Sequence, residues 1–339
     1  MTYLSQIYDH RLPLLVETEK IILECIQGAY RRASKPEEPD FVAMLTMNGA
    51  PKLQALISGI LAGTGISCTT TGVFCHQTPK AKFGTEKPCE LGDILLTHIH
   101  SKGVKVQNRN SLLLQAKMAK DADKAGGYTI PTNDQHQLKL YSEWPQFEYY
   151  RAGPKLNGQT RSVFPHLAHP GAQYLLIDPA DYFNPSCRAN PPTGQFPCGV
   201  WMAEQVIYPY QLLSQAIFGL LSFSSGRVFG PRSATHYGWT RVVWDLLESS
   251  LTKSFNRRNI KVTDEDRIAG GRPDELMTYC TFSKGRFGSS VVEVVLETPI
   301  TSNLSLDGSG FPPEGSFRNM PEFDDEGYVS VLLIETFED

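Results

Sequence analysis

Long hydrophobic runs are missing from this sequence of 339 residues. The longest, Leu212 to Phe223, is interrupted by Ser214, Gln215 and Gly219. It falls well short of the roughly 20 apolar residues that a membrane-spanning helix needs. The opening MTYLSQIYDHRLPLLVETEK has no charged head followed by a long apolar centre, so no secretory leader is expected. Cysteine is sparse, at 25, 68, 75, 89, 187, 198 and 280, with an odd count and irregular spacing. That argues against a disulfide scaffold. Cys68, Cys75, His76, Cys89, His98 and His100 crowd one region but form no CxxC-like pair, which argues against structural zinc. An excess of positive charge is missing too: the net charge is -4. A protein that coats nucleic acid nonspecifically is usually basic, although local basic patches remain compatible with this balance. There is no phosphate loop, no Gly-x-Gly-x-x-Gly fingerprint, no His-Glu-x-x-His and no Gly-x-Ser-x-Gly; the SLDGSG of Ser305 to Gly310 is not a nucleophile elbow. These absences exclude the usual nucleotide motor, dinucleotide enzyme, zinc protease and serine hydrolase. A soluble, cytoplasmic protein with no membrane partner is expected.

What is present is ordinary globular composition, 41% apolar and 20% charged. Residues 14–32 carry Leu15, Ile22, Cys25, Ile26 and Ala29 at helical spacing, and 33–40 read as a polar loop. Pro51 to Ala62 reads as a helix opened by proline and closed by Gly63. Residues 66–76 suit a strand. Helices are also expected over Asp134 to Tyr150, broken or kinked at Pro145, over Glu204 to Ser222 and over Trp239 to Ser254. Strands are expected at 173–177, 276–283, 289–297 and 329–336. Trp144, Tyr149 and Tyr150 are read as core. The order implies an α/β or α+β fold: a mixed sheet flanked by helices, with 1–185 as one unit and 186–339 as a helical and strand elaboration, or the whole as one domain.

The most informative stretch is Ile94 to Met118. ILLTHIH at 94–100 and SLLLQAKM at 111–118 flank the polar, basic SKGVKVQNRN, so a hairpin is expected. Alternation along a strand puts Gln115 and Lys117 on one face and Ala116 on the other. With the turn near 105–106, Asp93 falls beside Lys117 at the open end, and Glu90 lies within reach. A carboxylate and an amide oxygen are hard ligands suited to Mg²⁺ or Mn²⁺. A neighbouring lysine can orient a water and stabilise a phosphorane-like transition state. The plainer alternative is a solvated hairpin end. Lys102, Lys105 and Arg109 around the tip are candidates for phosphate contact or simply for solubility. Arg257, Arg258 and Lys261, with Lys284 and Arg286, are equally ambiguous.

Asp93 followed about twenty residues later by Gln115-Ala116-Lys117 resembles the PD-(D/E)xK nuclease superfamily, and within it the Mrr-like restriction endonucleases, in which Gln replaces the second acid. The resemblance implies a helix, a three-strand meander, a helix and a further strand, laid in order on 52–62, 66–76, 93–100, 111–118, 135–150 and 173–177. It implies that Asp93 and Gln115, with Glu90, bind a divalent metal and that Lys117 assists the water. The superfamily often adds an acid from its first core helix, and 52–62 has none. Glu90 is one substitute; Glu17, Glu19 or Glu24 are others if the first helix packs nearby. By analogy of fold, the expected activity is DNA cleavage by the effector of an anti-phage or restriction-type defence system. Control would come from a partner protein, an ATPase among the candidates, or from homo-oligomerisation. The alternative is an inactive nuclease-fold scaffold that binds a partner or nucleic acid.

Overall fold

The computed structural model describes residues 2–32, 36–74, 79–85, 87–118, 128–164, 171–177, 198–201, 206–207, 211–234, 238–251, 278–280 and 329–338. Two helices open the chain, α1 (Tyr3–Asp9) and α2 (Arg11–Arg32). On α2 the apolar stripe of Ile22, Cys25, Ile26 and Ala29 is buried, as its spacing requires. Next, α3 (Glu38–Met44), a π-helical turn (Leu45–Gly49) and α4 (Ala50–Leu61) follow one another without a break. The loop expected over 33–40 therefore gives way to helix at Glu38. Two features start it there: the Asp40 carboxylate accepts the Glu37 N–H at 2.8 Å, and Pro39 sits in the first turn. Pro51 lacks an N–H, and the π turn directly before it lies where the helical hydrogen-bond ladder must be interrupted.

The sheet begins with β1 (Ile66–Val73), where Gly72 lets the π turn press close. A Cβ there would meet the Thr46 carbonyl oxygen at 1.9 Å. Then come β2 (Lys80–Lys82), β3 (Cys89–Glu90), β4 (Ile94–Lys102) and β5 (Lys105–Met118). β4 and β5 form the expected hairpin, turning at Gly103, whose φ of 55° suits glycine. β6 (Tyr128–Thr129) and α5 (Gln135–Glu143) follow. The helix expected over 134–150 stops at Glu143: Trp144 takes a left-handed φ of 45° ahead of Pro145, and the chain re-enters a strand as β7 (Phe147–Tyr150). Trp144 and Tyr149 are buried as expected, but Tyr150 is exposed.

After α6 (Gly153–Leu156), β8 (Thr160–Arg161) and β9 (Ala172–Ile177) come β10 (Cys198–Trp201), β11 (Val206–Ile207), β12 (Gln211–Leu212) and α7 (Leu213–Leu221). The helix expected from Glu204 is thus shortened, because 206–207 and 211–212 pair as strands. The remaining elements are β13 (Arg227–Val228), α8 (Gly238–Leu251), β14 (Thr278–Cys280) and β15 (Ser330–Glu338). The strand expected at 289–297, His76 and the basic residues at 257, 258, 261, 284 and 286 lie outside the described residues.

The principal sheet runs β12-β10-β9-β5-β4-β15-β1-β14, with β13 also paired to β5. The fold is mixed α and β, as expected. The three-strand meander is not found. β15 lies between β1 and β4, antiparallel to the first and parallel to the second. The carboxyl-terminal strand is therefore central to the sheet, and a boundary at 185/186 cuts across it. β5 pairs with β9 in parallel on its other side. Each sheet face carries its own core. Leu96, Leu112 and Leu114 face α2, α3, α4 and α7, whereas Leu95, Leu113, Tyr174 and Leu333 face α5 and α8. Among the described residues no helix is long and apolar enough to cross a membrane.

Candidate active site

The hairpin register decides which residues meet. At the tip, Lys102 pairs with Lys105 and Ser101 with Val106, but His100 pairs with Asn108. Gln107 is thus an extra residue, a β-bulge that shifts the partner of every later β4 residue by one. A one-residue shift exchanges the faces of a strand. Because Ile94 pairs with Leu114, Asp93 comes opposite Gln115 rather than beside Lys117 as expected. The turn lies at 103–104 instead of 105–106, which moves the Asp93 partner back along β5, and the bulge returns it by one residue to Gln115.

Asp93 just precedes β4 and is tied at both backbone groups. Its N–H donates to the Leu114 carbonyl at 2.8 Å, and its carbonyl accepts the Ser330 N–H at 3.0 Å. Its Oδ2 accepts the Gln115 Nε2–H at 2.5 Å and the Ala116 N–H at 2.7 Å. The same Gln115 nitrogen lies 3.4 Å from Glu90 Oε2. Burial, and next the Glu90 carboxylate, hold the Asp93 carboxyl well above the usual range. The Ala116 N–H and the Lys117 charge pull the other way, and Glu38 adds to the rise.

Asp93, Gln115 and Glu90 therefore come together. Lys117 reaches the same cluster, but its Nζ is paired with Asp134 Oδ2 at 2.7 Å. Four contributing residues were not among those singled out from the sequence. Asp134 lies just ahead of α5. Gln137, on its first turn, donates from Nε2 to Gln115 Oε1 at 2.6 Å and to the Glu90 carbonyl at 3.1 Å. Tyr141, one turn on, donates to the Leu91 carbonyl at 2.8 Å. Its hydroxyl also crowds Gly92, where a Cβ would lie 2.7 Å from Leu113 Cδ1 and 3.1 Å from that oxygen. Glu38 is the first residue of α3, and its Oε1 accepts the Met118 N–H at 3.1 Å. The Glu-Pro-Asp start of α3 was the available signal for Glu38. For Gln137 and Tyr141 the signal was their four-residue spacing on a helix that follows the hairpin.

The substitutes for the helix acid fare differently. Glu17 pairs with Lys20 and Glu24 with Lys52, both on the outside of α2. Glu19 is influenced by Ser214. None of the three is among the groups acting on Asp93, whereas Glu90 and Glu38 are.

Lys102 and Lys105 sit at the far end of β4 from Asp93, about 30 Å along a nine-residue strand. Lys102 pairs with Glu338 at 2.7 Å, and Lys105 is exposed. Arg109 is not at the tip but within β5, half-buried, with its Nε unpartnered among the described residues. His98 and His100 belong to a different cluster. Thr336 Oγ1 lies 3.0 Å from both His98 Nε2 and His100 Nδ1, and Tyr3 stacks on His100. Cys68 and Cys89 are buried free thiols, both pushed up to about 12 by burial.

As a donor set for Mg²⁺ or Mn²⁺, Asp93 and Glu90 supply hard oxygens on either side of the Gln115 amide. Among the described residues, no three His, Cys, Asp or Glu side chains converge at ligand spacing. The nitrogen of Gln115, not its oxygen, faces the two acids. The residues thus fit one cation held by two carboxylates, with an amide oxygen joining only if Gln115 turns. Scans against protein-family models, curated proteins and solved structures each found no match.

Proposed function

We propose that this protein is a divalent-metal-dependent phosphodiesterase acting on DNA. The observation that carries the proposal is the convergence of Asp93, Glu90, Gln115 and Lys117 at the open end of one hairpin, under α5. Asp93 and Glu90 would hold Mg²⁺ or Mn²⁺, and Gln115 would complete the set through its oxygen. The ion would supply charge neutralisation at the phosphate and a more acidic water. Lys117, beside the acids, would orient that water or stabilise charge on the phosphoryl oxygens. Asp134 pairs with Lys117 next to the acids. The expected role is effector of a defence system under control by a partner protein or by oligomerisation.

Two observations favour a second reading. Gln115 offers its nitrogen to the acids, and Lys117 is already paired, which suits a nuclease fold serving as a binding scaffold. Plasmid cleavage with Mg²⁺ or Mn²⁺, alone and with the products of adjacent genes, separates the two. Wild type is expected to cut, and Asp93→Ala and Lys117→Ala to cut at least about a hundredfold more slowly. Equal cutting by all three proteins, or none under any condition, overturns the nuclease proposal.

A further inference from the structure

The polarity of the amide network has one fixed point. The backbone carbonyl of Glu90 can only accept a hydrogen bond, so Gln137 must present its nitrogen there. The same nitrogen meets Gln115, so Gln115 must answer with its oxygen. That choice turns the Gln115 nitrogen toward Asp93 and Glu90. An amide NH₂ is a donor and not a metal ligand. In this arrangement it stands in for a cation between two carboxylates.

We infer that Gln137 is a positioning residue that sets the metal affinity of the site by locking Gln115 in its non-ligating orientation; this rests on the metal-site reading above. For Gln115 to offer its oxygen to a cation, its amide must rotate by half a turn. Its nitrogen then faces Gln137, which must rotate as well. Once rotated, Gln137 loses its bond to the Glu90 carbonyl and brings an oxygen against it. Both residues are buried, at 4% exposure each, so water does not readily replace the lost bond. Cation binding therefore competes against two coupled amide turns. The brake sits on the helix that follows Asp134, the residue holding Lys117. Displacing the start of α5 would release both residues of the Gln115-Ala116-Lys117 tripeptide together.

The test is Mn²⁺ binding to the full chain, read from the free-ion signal by electron paramagnetic resonance and from the shift in melting temperature. The proteins are wild type, Gln137→Ala, Gln137→Glu and Asp93→Ala. Gln137→Ala removes the lock and is expected to bind Mn²⁺ about five- to tenfold more tightly, the factor associated with one lost hydrogen bond. A carboxylate at 137 can only accept, so Gln137→Glu obliges Gln115 to turn. Its metal-free form is expected to melt lower and its Mn²⁺-induced rise to exceed that of wild type. A merely structural Gln137 would lower melting without tightening binding. Unchanged or weaker binding in both Gln137 variants, with Asp93-dependent binding in wild type, overturns the lock and leaves the metal site standing. Binding that survives Asp93→Ala overturns the metal site itself, and no binding by any of the four overturns both.

Discussion

Two acids of the sheet, Asp93 at the start of β4 and Glu335 on the neighbouring β15, differ in their partners. Asp93 follows a turn, shares its carboxylate with Gln115 and Ala116, and sits beside Lys117. Glu335, in the middle of β15, is 1% exposed, and among the described residues neither carboxylate oxygen has a hydrogen-bond partner. On β4 and β5, the hydroxyls of Thr97 and Ser111 are likewise without partners among the described residues. Burial raises both acids, but only Asp93 has donors and a cation pulling against the rise. Burial alone pushes Glu335 up to about 8. Burial favours the neutral form at both acids, but at Asp93 the Ala116 N–H and the Lys117 charge oppose it, whereas at Glu335 burial acts alone.

The largest effect should come from neutralising Glu335. Its folded value lies above the unfolded one, so its contribution is full below about 4.5 and is lost as pH rises toward about 8. Glu335→Gln has no such dependence. Its stability advantage over wild type is expected to grow across that window and level off above it, reaching about 5 kcal/mol. Urea denaturation at a series of pH values reads this directly, and a difference that stays flat with pH contradicts it.

His98 should act on the opposite limb. Burial holds it down to about 3, while its Nδ1 meets the Leu220 carbonyl at 3.0 Å and its Nε2 meets Thr336. For a base with a lowered folded value, stability is present near neutrality and is lost as pH falls from about 6.5 toward about 3. His98→Gln is expected to cost about 2 kcal/mol at pH 7 by disturbing these buried bonds, and to flatten the acid limb. An acid limb as steep as that of wild type would remove His98 from the account.

Asp93→Asn sharpens the comparison at the other acid. Its side-chain oxygen can still accept from Ala116 and Gln115, while the charge beside Glu90 disappears. Metal-dependent cutting should vanish as stability rises by about 1 kcal/mol, the trade often seen where a site is built from crowded charge. Loss of both activity and stability would mean that the Asp93 charge is structural. The smallest effect belongs to the hairpin tip: Lys102→Ala breaks an exposed pair with Glu338 and should cost less than about 1 kcal/mol. It should leave cleavage of short duplexes unchanged, because Lys102 lies a full strand from Asp93. A large loss of cleavage would restore the tip as part of the DNA surface.

Much of this was legible locally. The stripes of α2 and α4, the hairpin and the parity of Gln115 and Lys117 follow from apolar period and strand alternation. The Asp93 partner differs from the expected one because the turn falls two residues earlier than the polar stretch suggests; the Gln107 bulge moves the register back by one. The expected α7 was too long because an apolar run does not distinguish a helix from a short strand leading into one.

By itself, the sequence determined the mixed α and β character and the face shared by Gln115 and Lys117, since both depend on neighbours a few residues apart. Only the tertiary structure decided the rest. It set β15 between β1 and β4, brought Glu38 and Gln137 to the residues around Asp93 and left Glu335 without a partner among the described residues. Those outcomes depend on contacts between segments tens to hundreds of residues apart, and no local periodicity encodes which strand enters a sheet or which donor reaches a buried acid.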